Sequence, residues 1–430
     1  MIEHVSPALA IHGAVEVPGD KSISHRYAML TSIAEGTSKI HNYSTGADCQ
    51  STLGCMQALG IRHEFTTENE RSVLVVHGKG VSGLQEYAGV LDAGNSGSTI
   101  RMLSGILAGQ SFASTLAGDA SLSKRPMRRI IAPLTAMGAR IEAHGEQYPP
   151  LTIHGTTLQA IQYQTPVPSA QVKSCVLLAG LYASGETTVR ESIATRDHTE
   201  IALRELGADI SIAPRLTSVR GPAVLSARTL MVPGDISSAA FFIVGALLVP
   251  ESELVITAVG LNPTRTALLD VLRGMGADIK VLHLEEINGE MIGTLQVKSS
   301  RITGGTISGG VTAALIDEVP ILAVLGAASE EGLLVRDAAE LRVKETDRIE
   351  TIAQNLRAMQ VEVETTADSI RIPGRQKFRA AEIQSCGDHR IAMAFAIAAL
   401  LADGPCAIHE AEAASVSFPE FYNTLHGITR

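Results

Sequence analysis

The chain of 430 residues is longer than a single core usually serves, and 45% apolar with 19% charged residues excludes a disordered polymer. A formal net charge of −10, no tryptophan and 3% aromatic residues exclude a general nucleic-acid binder, which needs a basic footprint and stacking surfaces. An anionic ligand must then be met by a local basic pocket, because the field of the whole molecule repels it.

The start, Met1-Ile2-Glu3-His4, lacks the basic residues and apolar run of a signal peptide. Ile11-His12-Gly13-Ala14-Val15-Glu16-Val17 reads as a strand ending in the turn Pro18-Gly19-Asp20. Lys21-Ser22-Ile23-Ser24-His25-Arg26 then opens a helix with Tyr27, Leu30 and Ile33 on one face, and Ser22 or Ser24 is placed to cap it. Gly94-Asn95-Ser96-Gly97-Ser98-Thr99-Ile100-Arg101 opens a second helix, which runs through Leu103 and Leu107. After Gly118-Asp119, the run Lys124-Arg125-Pro126-Met127-Arg128-Arg129 holds four bases in six residues. It reads as a loop folding over a ligand, a solvated helix face, or a patch for an acidic partner. Pro168-Ser169-Ala170-Gln171-Val172-Lys173 offers hydroxyl and amide donors at another helix start, and Thr195-Arg196-Asp197-His198-Thr199-Glu200 adds a further basic one.

In the second half, Val232-Pro233-Gly234-Asp235 repeats the earlier turn. Asp317-Glu318 precedes the apolar Val319–Leu325, where a carboxylate can serve as a general base or cap the helix. Leu341-Arg342-Val343-Lys344-Glu345-Thr346-Asp347-Arg348 opens a helix carrying Ile349, Ile352 and Leu356; Glu345 is an ion-pair candidate there. Gly387-Asp388-His389-Arg390 opens an alanine-rich helix. The longest apolar runs, Ala239–Pro250 and Ile391–Ala402, have 12 residues each, too few to span a bilayer. Cys49, Cys55, Cys175, Cys386 and Cys406 match neither CxxC nor a zinc spacing and are expected as reduced core thiols. A cytoplasmic protein, bound to neither membrane nor nucleic acid, is expected.

One pattern recurs through the chain. An amphipathic stretch ends in Leu or Met, a turn residue follows, and alternation begins: Leu59-Gly60-Ile61, Met137-Gly138-Ala139, Leu206-Gly207-Ala208, Met275-Gly276-Ala277 and Met359-Gln360-Val361. This is a helix closed by glycine and followed by a half-buried strand. The turn positions lie 78, 69, 69 and 84 residues apart, too far for a solenoid unit but suited to small α/β subdomains. A sixth copy, Leu425-His426-Gly427-Ile428, has no strand after it, and Ile11–Val17 is expected to complete it from the other end of the chain. The fold predicted is α+β. It has two similar three-repeat domains, 21–234 inserted into 1–20 plus 235–430, joined by two hinge strands with a cleft between them.

A helix dipole favours acidic residues in the first turn, yet several helices here begin with bases. Free amide groups beside a base make an anion site, so an enzyme acting on anions is indicated. No HExxH, GxSxG or P-loop pattern occurs. Proton transfer with electrostatic stabilisation of anions is the chemistry left.

At these residues the chain resembles the 5-enolpyruvylshikimate-3-phosphate (EPSP) synthases, the 3-phosphoshikimate 1-carboxyvinyltransferases. The segments that carry the likeness are 18–26, 94–99, 123–127, 169–174, 341–348 and 388–390. The resemblance implies two domains of three βαββαβ-type units each, an inside-out α/β barrel with the active site in the cleft. It implies transfer of the enolpyruvyl group of phosphoenolpyruvate to the 5-hydroxyl of shikimate 3-phosphate by addition and elimination, without a cofactor or metal. A monomer is expected, although sequence does not give the oligomeric state. By the same likeness, Lys21, Ser22, Arg26, Ser169, Ala170, Gln171, Arg196, Asp317 and Lys344 would hold shikimate 3-phosphate. Lys21, Gly97, Arg125, Gln171, Arg348 and Arg390 would hold phosphoenolpyruvate, a place the family's inhibitor glyphosate would share. Asp317 would take the hydroxyl proton, Glu345 would protonate the methylene carbon, and Lys21 would assist.

Two positions depart from the pattern. Ala170 stands where many members have serine, with Arg196 expected to compensate, and Val416-Ser417-Phe418-Pro419 lacks a lysine that many carry. Both suit the divergent bacterial branch. The alternatives are an enolpyruvyl transferase acting on UDP-N-acetylglucosamine and a non-catalytic repeat scaffold. The first usually has a Lys-Asn pair and a loop cysteine, whereas Lys21 precedes Ser22 and no cysteine lies between Asp119 and Arg129.

Overall fold

Six small sheets recur along the chain, five of four strands and one of three. The computed structural model describes all 430 residues, Met1–Arg430. By internal contacts the chain forms a discontinuous unit (Met1–Pro18, Pro233–Glu286, Met291–Arg430) and an inserted unit (Gly19–Val232, Ile287–Glu290). The tetrapeptide at the tip of the hairpin Asp278–Ile287/Glu290–Lys298 thus belongs to the inserted unit.

The inserted unit contains α1 (Lys21–Ser32), α2 (Ala47–Ala58), α3 (Gly97–Ala108), α4 (Arg128–Ala136), α5 (Ala170–Gly180) and α6 (His198–Glu205). The discontinuous unit contains α7 (Ile236–Leu248), α8 (Ala267–Gly274), α9 (Gly310–Ala314), α10 (Val319–Ala328), α11 (Arg348–Ala358), α12 (His389–Ala399) and α13 (Phe421–Ile428). Between Val90 and His154 a repeat reads strand, helix, strand, helix, strand, strand. That order, βαβαββ, corrects the expected βαββαβ. The entering strands, such as Val90–Asp92 and Gln162–Gln164, have three residues, too few for alternation to show. In this repeat Val90–Asp92 pairs parallel with Ala113–Ala117, which pairs antiparallel with Tyr148–His154.

Closure of the repeats also departs from expectation. His12–Glu16 pairs with Glu253–Gly260, in the fourth repeat. The strand that completes the sixth is Ile2–Val5, antiparallel to Cys406–His409. Gly60, Gly138, Gly207 and Gly276 close their helices with φ of 86° to 101°, and Gln360 takes φ of 60° at the same place. Gly427, by contrast, lies within α13, so that copy does not end a helix.

Each unit has its own core. Helices α7 and α12 are buried almost all round, as are α1, α3 and α5 in the inserted unit. A helix buried on every side is apolar wherever its polar groups find no partner, which accounts for the Ala-rich runs of α7 and α12. Helices α1 and α5, by contrast, bury Arg26, His25 and Lys173 with hydrogen-bond or ion-pair partners. Close packing also demands small residues. A methyl on Gly105 in α3 would stand 2.2 Å from the Cys175 carbonyl oxygen in α5. Four cysteines sit in the cores, and Cys386 is exposed, contrary to expectation. No helix is long and apolar enough to cross a membrane.

Candidate active site

Helix starts gather at one place in the inserted unit. Asp20 caps α1 by accepting from the Ile23 amide at 2.9 Å, so the cap expected of Ser22 or Ser24 belongs to aspartate. This leaves Ser22 half-buried and free of capping, beside Lys21, whose Nζ donates to Asp48 Oδ2 at 2.9 Å. Ser96 caps α3 and Ser169 caps α5. Arg101 of α3 donates to Gln171 Oε1 of α5 at 2.7 Å, and Gln171 Nε2 donates to Ser98 Oγ at 2.9 Å. Gly97 lies in the same corner, where an added methyl would stand 2.9 Å from Arg101 Nη1 and 3.5 Å from Arg125 Nη1.

Of the four bases in 124–129, only Arg125 is buried; it donates to Asn95 Oδ1 at 2.7 Å and to Ser121 Oγ at 3.2 Å. Lys124 and Arg128 face solvent. Arg26, 4% exposed, donates to Ser22 O, Ser174 Oγ and Thr199 Oγ1 at 2.6 to 2.8 Å. Burial pulls its guanidinium down to about 10, with Glu200 opposing the shift and Arg196 adding to it. Arg196 lies in the segment before α6. A buried polar chain ties the starts together: His25 Nδ1 meets Thr52 Oγ1 at 2.7 Å, and Thr52 Oγ1 meets Thr99 Oγ1 at 2.7 Å. Burial, with Lys21 and Arg26 nearby, holds His25 well below the usual histidine range.

The discontinuous unit has a second cluster. Arg348, 1% exposed, donates through Nε to Asp388 Oδ2 at 2.7 Å and through Nη2 to Asp388 Oδ1 at 3.1 Å. The same guanidinium lies 2.6 Å from Glu345 Oε2 and 3.6 Å from Asp317 Oδ1. Burial alone would lower its pKa, but Asp388, Glu345 and Asp317 together raise it above the ordinary arginine value. Lys344 Nζ donates to Asp317 Oδ1 at 3.3 Å, and Arg390 Nη1 donates to the Asp317 carbonyl at 3.0 Å.

Asp317 therefore faces cations. Glu318, at the α10 start, instead accepts from Ser237 Oγ. Asp388 also caps α12 by accepting from the Arg390 amide at 2.9 Å. Val416 ends a short 3-10 helix, and Phe418 packs on Phe242 with ring centroids 5.8 Å apart.

Sequence reasoning missed Arg101, Asp48 and the buried Asp388. Arg101 and Asp388 lay in motifs already singled out, but their partners, Gln171 and Arg348, are 70 and 40 residues away. No cluster of side chains suited to a metal ion is present.

A family model described as EPSP synthase (3-phosphoshikimate 1-carboxyvinyltransferase) matches residues 5–425. A 3-phosphoshikimate 1-carboxyvinyltransferase of Solibacter usitatus is 64% identical across the whole of both chains. One from Koribacter versatilis is 54% identical over 99% of this chain and 98% of its own. The solved EPSP synthase of Acinetobacter baumannii superposes with a TM-score of 0.87 at 42% identity, over 100% of this chain and 98% of that one. The enolpyruvyl transferase NikO of Streptomyces tendae shares the fold at a TM-score of 0.78 and 16% identity, covering 99% of this chain and 97% of that chain. With the family model spanning the chain, and relatives this similar along their full length, the chain belongs to the EPSP synthase family.

Proposed function

We propose that this enzyme transfers the enolpyruvyl group of phosphoenolpyruvate to the 5-hydroxyl of shikimate 3-phosphate. The observation that carries this reading is Arg348, one buried guanidinium that grips both Asp317 and Glu345. Two carboxylates fixed on a single rigid cation can divide the work of base and acid.

In the first step the substrate oxygen bonds to C2 of phosphoenolpyruvate. Asp317 takes the hydroxyl proton, and Glu345 delivers a proton to C3. In the second step the C2–O bond to phosphate breaks, C3 loses a proton, and the enol ether and phosphate leave. Lys21, Ser22, Arg26, Ser169, Gln171, Arg196 and Lys344 are assigned to shikimate 3-phosphate, with Ala170 contributing backbone alone. Lys21, Gly97, Arg125, Gln171, Arg348 and Arg390 are assigned to phosphoenolpyruvate. Fixed cations and amide dipoles stabilise the charge that develops as phosphate departs. We assign the enzyme to the cytoplasm as a monomer, acting without a cofactor.

Phosphate release with phosphoenolpyruvate and either acceptor is the test. Turnover with shikimate 3-phosphate and none with UDP-N-acetylglucosamine is expected. The reverse pattern, or no turnover with either, would overturn the assignment.

A further inference from the structure

Lys173, in the second turn of α5, is 2% exposed and takes no part in the assignments above. Its Nζ lies 2.9 Å from Glu191 Oε2, 2.7 Å from Glu200 Oε1 and 3.4 Å from the Thr195 carbonyl. These partners are the beginning, the middle and the far side of one connecting segment. Glu191 follows the strand Gly185–Arg190, Thr195 lies midway, and Glu200 is in the first turn of α6. Thr195 Oγ1 donates to Glu191 Oε1, tightening the same loop. Ser192, Ile193 and Ala194 are exposed, with the Ser192 carbonyl accepting from Arg215 Nη1 at 3.2 Å, and the buried cluster holds the segment at both ends and at Thr195. Burial pushes the Glu200 carboxyl up, and the Lys173 charge works against that shift.

The neighbouring residue in α5, Ser174, meets Thr199 Oγ1 at 2.6 Å and receives Arg26 Nη2 at 2.8 Å. Lys173 and Ser174 thus tie the segment that bears Arg196 to the helix whose start carries Ser169 and Gln171. Ala170, in that start, offers no hydroxyl, which leaves more of the anion's binding to Arg196.

We infer that Lys173 is a positioning residue for the substrate phosphate: its buried ammonium fixes the segment 191–197 so that Arg196 is presented to shikimate 3-phosphate. The inference rests on the assignment of Arg196 to that substrate. It predicts coupling, since a residue acting only through Arg196 has nothing left to position once Arg196 is gone.

The test measures KM for both substrates in Lys173→Met combined with Glu191→Gln and Glu200→Gln, which removes the buried charges together, with and without Arg196→Ala. In the parent background KM for shikimate 3-phosphate should rise about tenfold or more, the size of one lost charge-assisted contact. KM for phosphoenolpyruvate should change less than about twofold, and with Arg196→Ala the triple change should add almost nothing. Thr195→Val, a milder loosening of the same loop, should show the same pattern at smaller size and serves if the triple variant does not fold. Equal rises in both KM values, additive effects with Arg196→Ala, or unchanged KM values would each overturn the inference while parental turnover upheld the reaction. Absence of turnover in the parent would overturn both.

Discussion

Asp388 is the residue at which the second cluster is most exposed to a single change. It is fully buried, supplies two bonds to the buried Arg348 and caps α12 through the Arg390 amide. Breaking a buried pair by deleting one partner costs about 3–5 kcal/mol, because the other charge stays behind. Here Glu345 at 2.6 Å and Asp317 at 3.6 Å still balance part of the Arg348 charge. Asp388→Asn keeps an oxygen for the cap and for one guanidinium contact, so the expected loss is about 2–4 kcal/mol, one or two charge-assisted bonds. Asp388→Ala also forfeits the cap, worth about 1 kcal/mol, and should lose about 4–6 kcal/mol in all. Urea unfolding followed by far-ultraviolet circular dichroism suits a chain without tryptophan. The midpoint should fall with an unchanged slope. An Asn variant within about 1 kcal/mol of the parent would refute the premise that Asp388 carries the Arg348 charge.

Three other outcomes are expected. Asp317→Asn should lower kcat by a factor of about 10²–10⁴ with substrate binding retained, whereas near-parental turnover would remove Asp317 as the base. In Gly97→Ala the added methyl would sit 2.9 Å from Arg101 Nη1. The Arg101 guanidinium should swing away from Gln171, KM for phosphoenolpyruvate should rise, and inhibition by the longer glyphosate should weaken more; equal changes in both would leave Gly97 a turn residue only. His25 stays neutral when folded and protonates when unfolded, so the unfolded state binds the extra proton below the ordinary histidine pKa. Stability should therefore fall as pH drops below about 6.5, by up to about 1.4 kcal/mol per pH unit for this group, and be unaffected above it. His25→Gln should flatten that slope relative to the parent; identical pH profiles would contradict the account.

How much the sequence revealed follows from the range of the forces involved. Helix ends are local, so the glycines at 60, 138, 207 and 276 and the basic starts at 21–26, 94–101 and 388–390 could be read directly. The Asp20 cap was legible too, since Asp235 repeats it in the echoed turn, but the serines beside it drew the assignment. Three-residue strands gave no period, and Ile2–Val5 is defined by a partner more than 400 residues away. Lys173 ends the segment 168–173, which stands out in the sequence only for its hydroxyl and amide donors. Only the fold brings Glu191 and Glu200 to it and makes it a buried strut.

The central claim, addition followed by elimination on phosphoenolpyruvate, is tested most directly by running the reaction in heavy water enriched in oxygen-18 and analysing the products by mass spectrometry. Protonation at C3 makes a transient methyl group, so the enol ether product should carry deuterium in its methylene. The C–O cleavage should also leave the bridging oxygen of phosphoenolpyruvate in the released phosphate. A methylene free of deuterium, together with solvent oxygen in the phosphate, would contradict the mechanism and the roles given to Asp317 and Glu345.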